Sequence, residues 1–174
     1  MKTNRHQFVE IAGLIAIVAS LVFVGMQLLL DRELAAAEQY SFRAESRMET
    51  LRAHLGSDDY ISAMVTVFES DGRAPPFYDE EFAKLANQNN VSTREVIIFW
   101  IEEELNMLTW DNLYYQYNQG LLEEEFWLGA KQSLIFALQS PFRRALLING
   151  YFRRPINNLI DELLNELDLE QQNI

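Results

Sequence analysis

The chain has 174 residues and carries 26 Asp and Glu against 14 Lys and Arg, a formal net charge of −12. That length suits one domain with little left over. The acidic balance argues against nucleic-acid binding and against broad adhesion to anionic lipid. There is no cysteine, which excludes thiol catalysis, disulfides and Cys–zinc sites, and His6 and His54 are the only histidines.

Residues 11–30 read IAGLIAIVASLVFVGMQLLL, a run with no charge in which Ser20 and Gln27 are the strongly polar side chains. As a helix this run spans about 30 Å, the thickness of a bilayer's hydrocarbon core. An uncleaved transmembrane helix is the preferred reading. The rival is a cleaved signal peptide, with Ala35-Ala36-Ala37 as acceptable small residues. The apolar run is longer than the roughly 7–15 residues usual in such peptides, and Asp31, Arg32 and Glu33 separate it from the alanines. Lys2 and Arg5 form a short basic head before the run, while Arg32, Arg43 and Arg47 follow it. Such a head is expected to stay cytoplasmic, which places the remaining chain across the membrane, in the periplasm of a Gram-negative bacterium. The near balance of basic residues on the two sides leaves the reverse orientation open.

No Gly or Pro interrupts the chain between Met26 and Leu55, so one helix is expected from Phe8 to Leu55, reaching about 72 Å. Residues 1–10 form a basic tail, 11–30 the membrane helix and 31–55 a stalk continuous with it. A stripe with steps of three and four runs through Gly13, Ala16, Ser20, Phe23, Gln27, Leu30, Leu34, Ala37, Ser41, Ala44, Met48, Leu51 and Leu55. Inside the membrane its outer half is small, and Ala12, Ala16 and Ser20 add a small-xxx-small row. Ala12, Gly13, Ala16, Ser20 and Gln27 are therefore the candidate membrane-helix contacts, toward a second copy or another membrane protein. The alternative is that the soluble half of the stripe packs on the chain's own helices.

The rest of the chain, residues 57–167, reads as a bundle of about six helices. Gly56 caps the first helix, and Ser57, Asp58 and Asp59 open a second through Ser70. Pro75-Pro76 marks an extended connector, residues 79–87 a short helix burying Phe82 and Leu85, and Asn89-Asn90 a break. Ser92-Thr93-Arg94-Glu95 is a capping-box sequence that opens a long helix to Asn118, closed by Gly120. This helix has two apolar rows, one with Ile98, Ile101 and Leu105 and one with Val96, Trp100, Met107 and Trp110, so it is expected to be covered from several sides. Residues 122–139 follow, with Glu123, Glu124 and Glu125 in the first turn and Phe126, Trp127, Ala130, Leu134 and Leu138 facing inward. Ser140-Pro141 opens a helix ending near Asn149-Gly150, and Pro155 opens the last, amphipathic one. Residues 168–174 are expected to fray.

Candidate chemistry is sparse. The acidic groups Asp79-Glu80-Glu81, Glu102-Glu103-Glu104, Glu123-Glu124-Glu125 and Asp161-Glu162 lack the Glu-x-x-His pairs of a di-metal bundle and are read as solvated helix faces and first-turn dipole partners. His54 suits a helix C-terminus better than a general base. No phosphate loop and no nucleophile motif is present, so no enzymatic role and no cofactor are expected. Arg143, Arg144, Arg153 and Arg154 stand out in an acidic chain; with Trp110 and Tyr114 they are the candidate contacts for an anionic ligand, against salt bridges and core packing as the plainer uses.

The segments VASLVFVGMQ, in the membrane run, and NLYYQYNQGLLEEEFW, residues 112–127, resemble those of uncharacterised small bacterial single-span membrane proteins with a C-terminal helical domain. The resemblance covers the anchor and roughly residues 95–165. It implies an all-α fold and a bacterial inner-membrane location, and no activity. The stretch after the anchor, DRELAAAEQY, is less basic and less Gln-rich than is usual in that group, which leaves the orientation it implies open. The expected role is that of a protein-interaction, accessory or assembly subunit of a membrane complex, with a sensor or ligand-binding domain as the alternative.

Overall fold

The computed structural model describes residues 3–71, 80–148 and 154–172. Among these the fold is all-α: α1 (Thr3–Leu55), α2 (Asp58–Asp71), α3 (Glu80–Gln88), α4 (Thr93–Asn118), α5 (Glu124–Gln139), α6 (Pro141–Ile148) and α7 (Arg154–Gln172). The Pro75-Pro76 connector, Asn149-Gly150 and Arg153 lie outside the described residues. The chain divides into two compact units, residues 1–40 and 41–174.

The described residues of the first unit are helix alone. It holds the most apolar stretch of α1, with a mean hydropathy of 2.4 over its best window and none of that window buried. By length and composition α1 is long and apolar enough to cross a membrane.

The second unit is a bundle organised on α4. Helices α2, α5, α6 and α7 all pack on α4, and three apolar clusters each draw residues from it. Ile97 and Ile101 join Leu51 of α1 and Ile61 of α2. Val96 joins Phe82 and Ala86 of α3 and Leu146 of α6. Met107 and Trp110 join Trp127, Leu134 and Leu138 of α5, Leu147 of α6 and the apolar stripe of α7. The two apolar rows of α4 thus have their expected cause, since a helix covered from several sides cannot have one polar face.

The boundary between the units moves one expectation. Residues 41–55, read as stalk, belong to the bundle. Ala44 and Leu51 are buried, Ser41 Oγ donates to Asn112 Oδ1 at 3.2 Å, and Thr109 Oγ1 reaches Met48 Sδ at 3.5 Å. Arg47 Nη2 pairs with Glu104 at 2.7 Å. Residue numbers rise along α1 as they fall along α4, so the two run antiparallel. The soluble half of the three-four stripe therefore packs on the chain's own α4.

Local chemistry sets the helix ends. Gly120 takes φ +69°, and the Leu121 N–H reaches back to Gln116 O at 2.9 Å, closing α4. Asn90, at φ 55°, does the same after α3, where the Val91 N–H bonds Ala86 O at 2.9 Å. His54 stacks on Tyr60 with ring centroids 3.8 Å apart, tying the end of α1 to α2. Helix α7 continues past the expected fraying point to Gln172, and Arg144 holds Asp168 with two guanidinium nitrogens, each 3.1 Å from Oδ1.

The capping box of α4 is formed in full. Ser92 Oγ accepts the Glu95 N–H, and Glu95 Oε2 accepts the Ser92 N–H at 2.8 Å and its hydroxyl at 2.6 Å. These bonds hold the Glu95 carboxyl below the ordinary glutamate range. A depressed folded-state value contributes stability that is present above the unfolded pKa and lost as pH falls through the folded one. Ser92→Ala is expected to destabilise the bundle by about 1 kcal/mol at neutral pH. Acid titration of the wild type should show part of that contribution leaving only below the usual glutamate range. Denaturant midpoints measured from pH 7 to pH 3 check this. A wild-type and Ser92→Ala difference that stays constant across the range would remove Glu95 from the account.

Candidate functional site

The candidate membrane contacts all lie on the exposed surface of α1 in the first unit. Ala12, Gly13, Ala16, Ser20 and Gln27 are exposed, and nothing stands within 4 Å of where a Cβ on Gly13 would be. The large apolar side chains from Phe8 to Leu30 are 45–72% exposed, with no cover from the other described residues. The seam thus has two fates. Its bundle half is occupied by α4, and its apolar half is open.

Among the described residues the candidate ligand contacts do not converge. Arg143 Nη2 donates to Glu103 Oε2 at 3.1 Å, and its Nε lies 2.7 Å from Oε1 without a hydrogen bond in line. Arg144 is held by Asp168. Arg154, the first residue of α7, is exposed. Trp110 is buried, with Nε1 donating to Ser133 Oγ at 2.7 Å, and that hydroxyl donates in turn to Ala130 O at 2.8 Å. Tyr114 packs against Trp127, centroids 5.2 Å apart, and Tyr117 stacks on the same ring at 5.5 Å. The aromatic segment is mainly core.

The reading of the acidic groups needs one correction. In Glu102-Glu103-Glu104 only Glu102 faces solvent. Glu103 is buried with its side chain 5% exposed, paired to Arg143 and approached by Asn106 Nδ2 at 3.4 Å, while Glu104 takes Arg47. Three consecutive positions on a helix point 100° apart, so a charged triplet on a helix with several neighbours must send at least one member toward a neighbour. Among the described residues no group of three His, Asp or Glu side chains is placed to hold a metal ion.

A feature that sequence reasoning missed lies between α4 and α5. A groove of about 530 Å³ runs there, formed by Thr109, Trp110 and Leu113 on one side and by Phe126, Gly129, Ala130 and Ser133 on the other, with Glu123 and Glu125 at its mouth. Phe126, expected to face inward, is 62% exposed. The helix begins at Glu124 rather than Leu122, and its buried face is set by Trp127, Leu134 and Leu138. Phe126, one position before Trp127, falls 100° off that face. The spacing Phe126, Gly129, Ser133, Phe136, in steps of three, four and three, was the available signal; Phe136 too is exposed, at 70%.

The chain shows no significant match to any protein-family profile, to any curated protein or to any solved structure.

Proposed function

We propose that the protein is anchored in a membrane by a single span and that its helical bundle serves as a protein-interaction, accessory or assembly subunit of a membrane complex. The observation that carries this reading is the bare apolar surface from Phe8 to Leu30. Water penalises each of these side chains by roughly 25 cal/mol per Å² of apolar area, and a soluble protein rarely leaves so large a continuous patch uncovered. Lipid removes that penalty. With the basic head on the cytoplasmic side, the bundle stands on the far side, in the periplasm if the source is a Gram-negative bacterium. A compartment-specific reporter fused after Ile174 tests the orientation.

A subunit role is supported by where the polar and small residues of the anchor fall. Ser20 and Gln27 share a face with Gly13 and Ala16, so an adjoining helix can approach closely and satisfy the amide. The sensor alternative is less well supported. Arg143 and Arg144 are engaged by carboxylates of the bundle, and the groove at Trp110 is bordered by Glu123 and Glu125.

The anchor contacts make a graded prediction. Interhelical hydrogen bonds in membranes average about 0.6 kcal/mol, with model peptides at ~1–2 kcal/mol. Gln27→Leu should weaken association only a few-fold, and Ala16→Leu more strongly by preventing close approach. Neither should change folding of residues 41–174. Site-specific crosslinking in membranes from position 16, toward copies of the chain and toward other proteins, checks it. If neither kind of neighbour is captured above random collision, the seam has no partner and the subunit reading fails.

A further inference from the structure

The Glu103–Arg143 pair is closed on itself as an ion pair and leaves only Arg143 Nε without a hydrogen bond, and the exposed apolar residues of α2 and α7 are single side chains. The groove between α4 and α5 goes further. Its floor is apolar, built from Trp110, Leu113 and Ala130, and the exposed ring of Phe126 makes a wall. Gly129 sits in the interior of α5 with nothing within 4 Å of an added Cβ. A glycine there forfeits helix stability that alanine would supply at no steric cost within the chain. The room it leaves serves no contact inside the bundle. Glu123 and Glu125 at the mouth have no ion-pair partner among the described residues.

We propose that this groove receives a cationic amphipathic helix of a partner protein. Bulky apolar side chains of that helix enter the space above Trp110 and Gly129, and its Lys or Arg residues face Glu123 and Glu125. This is the helix-in-groove mode of recognition, with α4 and α5 as the two sides. The occupant follows from charge. A second copy of this chain brings a net charge of −12, which the carboxylates of Glu123 and Glu125 repel. An acidic segment meets the same repulsion, and a cationic one is attracted. The cavity is about 530 Å³ and lies open along the helices, which suits several side chains projecting from one helix better than an enclosed small molecule.

This inference rests on the subunit reading, and the test separates the two. A photoreactive benzoylphenylalanine is placed in the full-length protein at Phe126, at Leu128 on another face of α5, and at Ala16 in the anchor. Crosslinking is done in the protein's own membranes, and adducts are mapped by peptide sequencing. The expected result is an adduct from Phe126 and none from Leu128, mapping to a segment with apolar residues at helical spacing and Lys or Arg beside them. Glu123→Lys with Glu125→Lys should lower its yield about tenfold, by losing attraction and adding repulsion at two rim sites. Gly129→Leu should abolish it by filling the groove while the unfolding midpoint stays at or above wild type. An adduct with a second copy, an adduct on an acidic or uncharged segment, an adduct indifferent to these substitutions, or no adduct above the Leu128 control overturns the proposal. If Ala16 still captures a membrane protein in that case, the groove inference fails alone. If Ala16 captures nothing either, both readings fail.

Discussion

Replacing Arg143 with Met should destabilise the bundle by about 3 kcal/mol. The substitution keeps most of the side-chain length and removes only the cation. Glu103 is then left with its side chain 5% exposed and with Asn106 as its remaining polar contact. Leaving a buried carboxylate without its cation costs several kcal/mol. The reverse change is milder. Arg143 is 23% exposed on its side chain, so Glu103→Leu lets the guanidinium turn toward water, for a cost of about 1–2 kcal/mol. Removing both charges in Glu103→Leu with Arg143→Met should bring stability back to within about 1 kcal/mol of wild type, because buried pairs and apolar replacements of similar volume are nearly equivalent. Denaturant unfolding of the four proteins closes the cycle. In thermal terms the Arg143→Met loss corresponds to roughly 10 °C. Equal costs for the two single substitutions would contradict the asymmetry in burial.

Phe82→Ala should release α3 from the bundle. Nine residues are too few to hold a helix in water unaided, so α3 persists through what its buried face touches. That face is Phe82 and Ala86, four positions apart, set against Phe142, Leu146 and Val96, with the Phe82 and Phe142 rings 4.6 Å apart. Truncating a fully buried phenylalanine costs about 3–5 kcal/mol where the surroundings cannot collapse. Detachment of α3 offers a cheaper escape, since α3 packs chiefly on α6 whereas α4 is covered from several other sides. The expected signature is local. Amide protection across Glu80–Gln88 should fall about a hundredfold, while that of Met107–Leu113 changes little. Loss of protection in step across α3, α4 and α5 would instead make α3 part of a single cooperative unit.

How much of this was legible in the sequence differs by element. The start of α4 was written in four residues, because a capping box is local chemistry that needs no tertiary partner. The apolar run of α1 was equally plain, since composition alone identifies it. The ends at Asn90 and Gly120 were readable for the same local reason. The direction of Phe126 was not, because its neighbour Trp127 competes for the same core and only packing decides which ring goes in. Glu103 was hidden in a triplet that looked solvated; its burial depends on Arg143, forty positions away. The groove left only one trace in the sequence, the spacing of Phe126, Gly129, Ser133 and Phe136, for a related reason. It is formed by what α4 and α5 leave uncovered, and periodicity reports the residues a helix buries rather than the space between two helices.

The long-range contacts of α1 also set a clock. Met48 meets Thr109 across 61 positions, and Ser41 meets Asn112 across 71. Chains are made N-terminus first at about 5–20 residues per second, so roughly 3–14 s pass between synthesis of Ser41 and Met48 and synthesis of the α4 residues they meet. For that interval the stripe is bare to chaperones, proteases and neighbouring nascent chains. The exposure is fixed by sequence separation and not by the stability of the finished bundle. Slow translation through α2 and α3 lengthens it, and a faster passage shortens it, without altering a single contact in the folded protein.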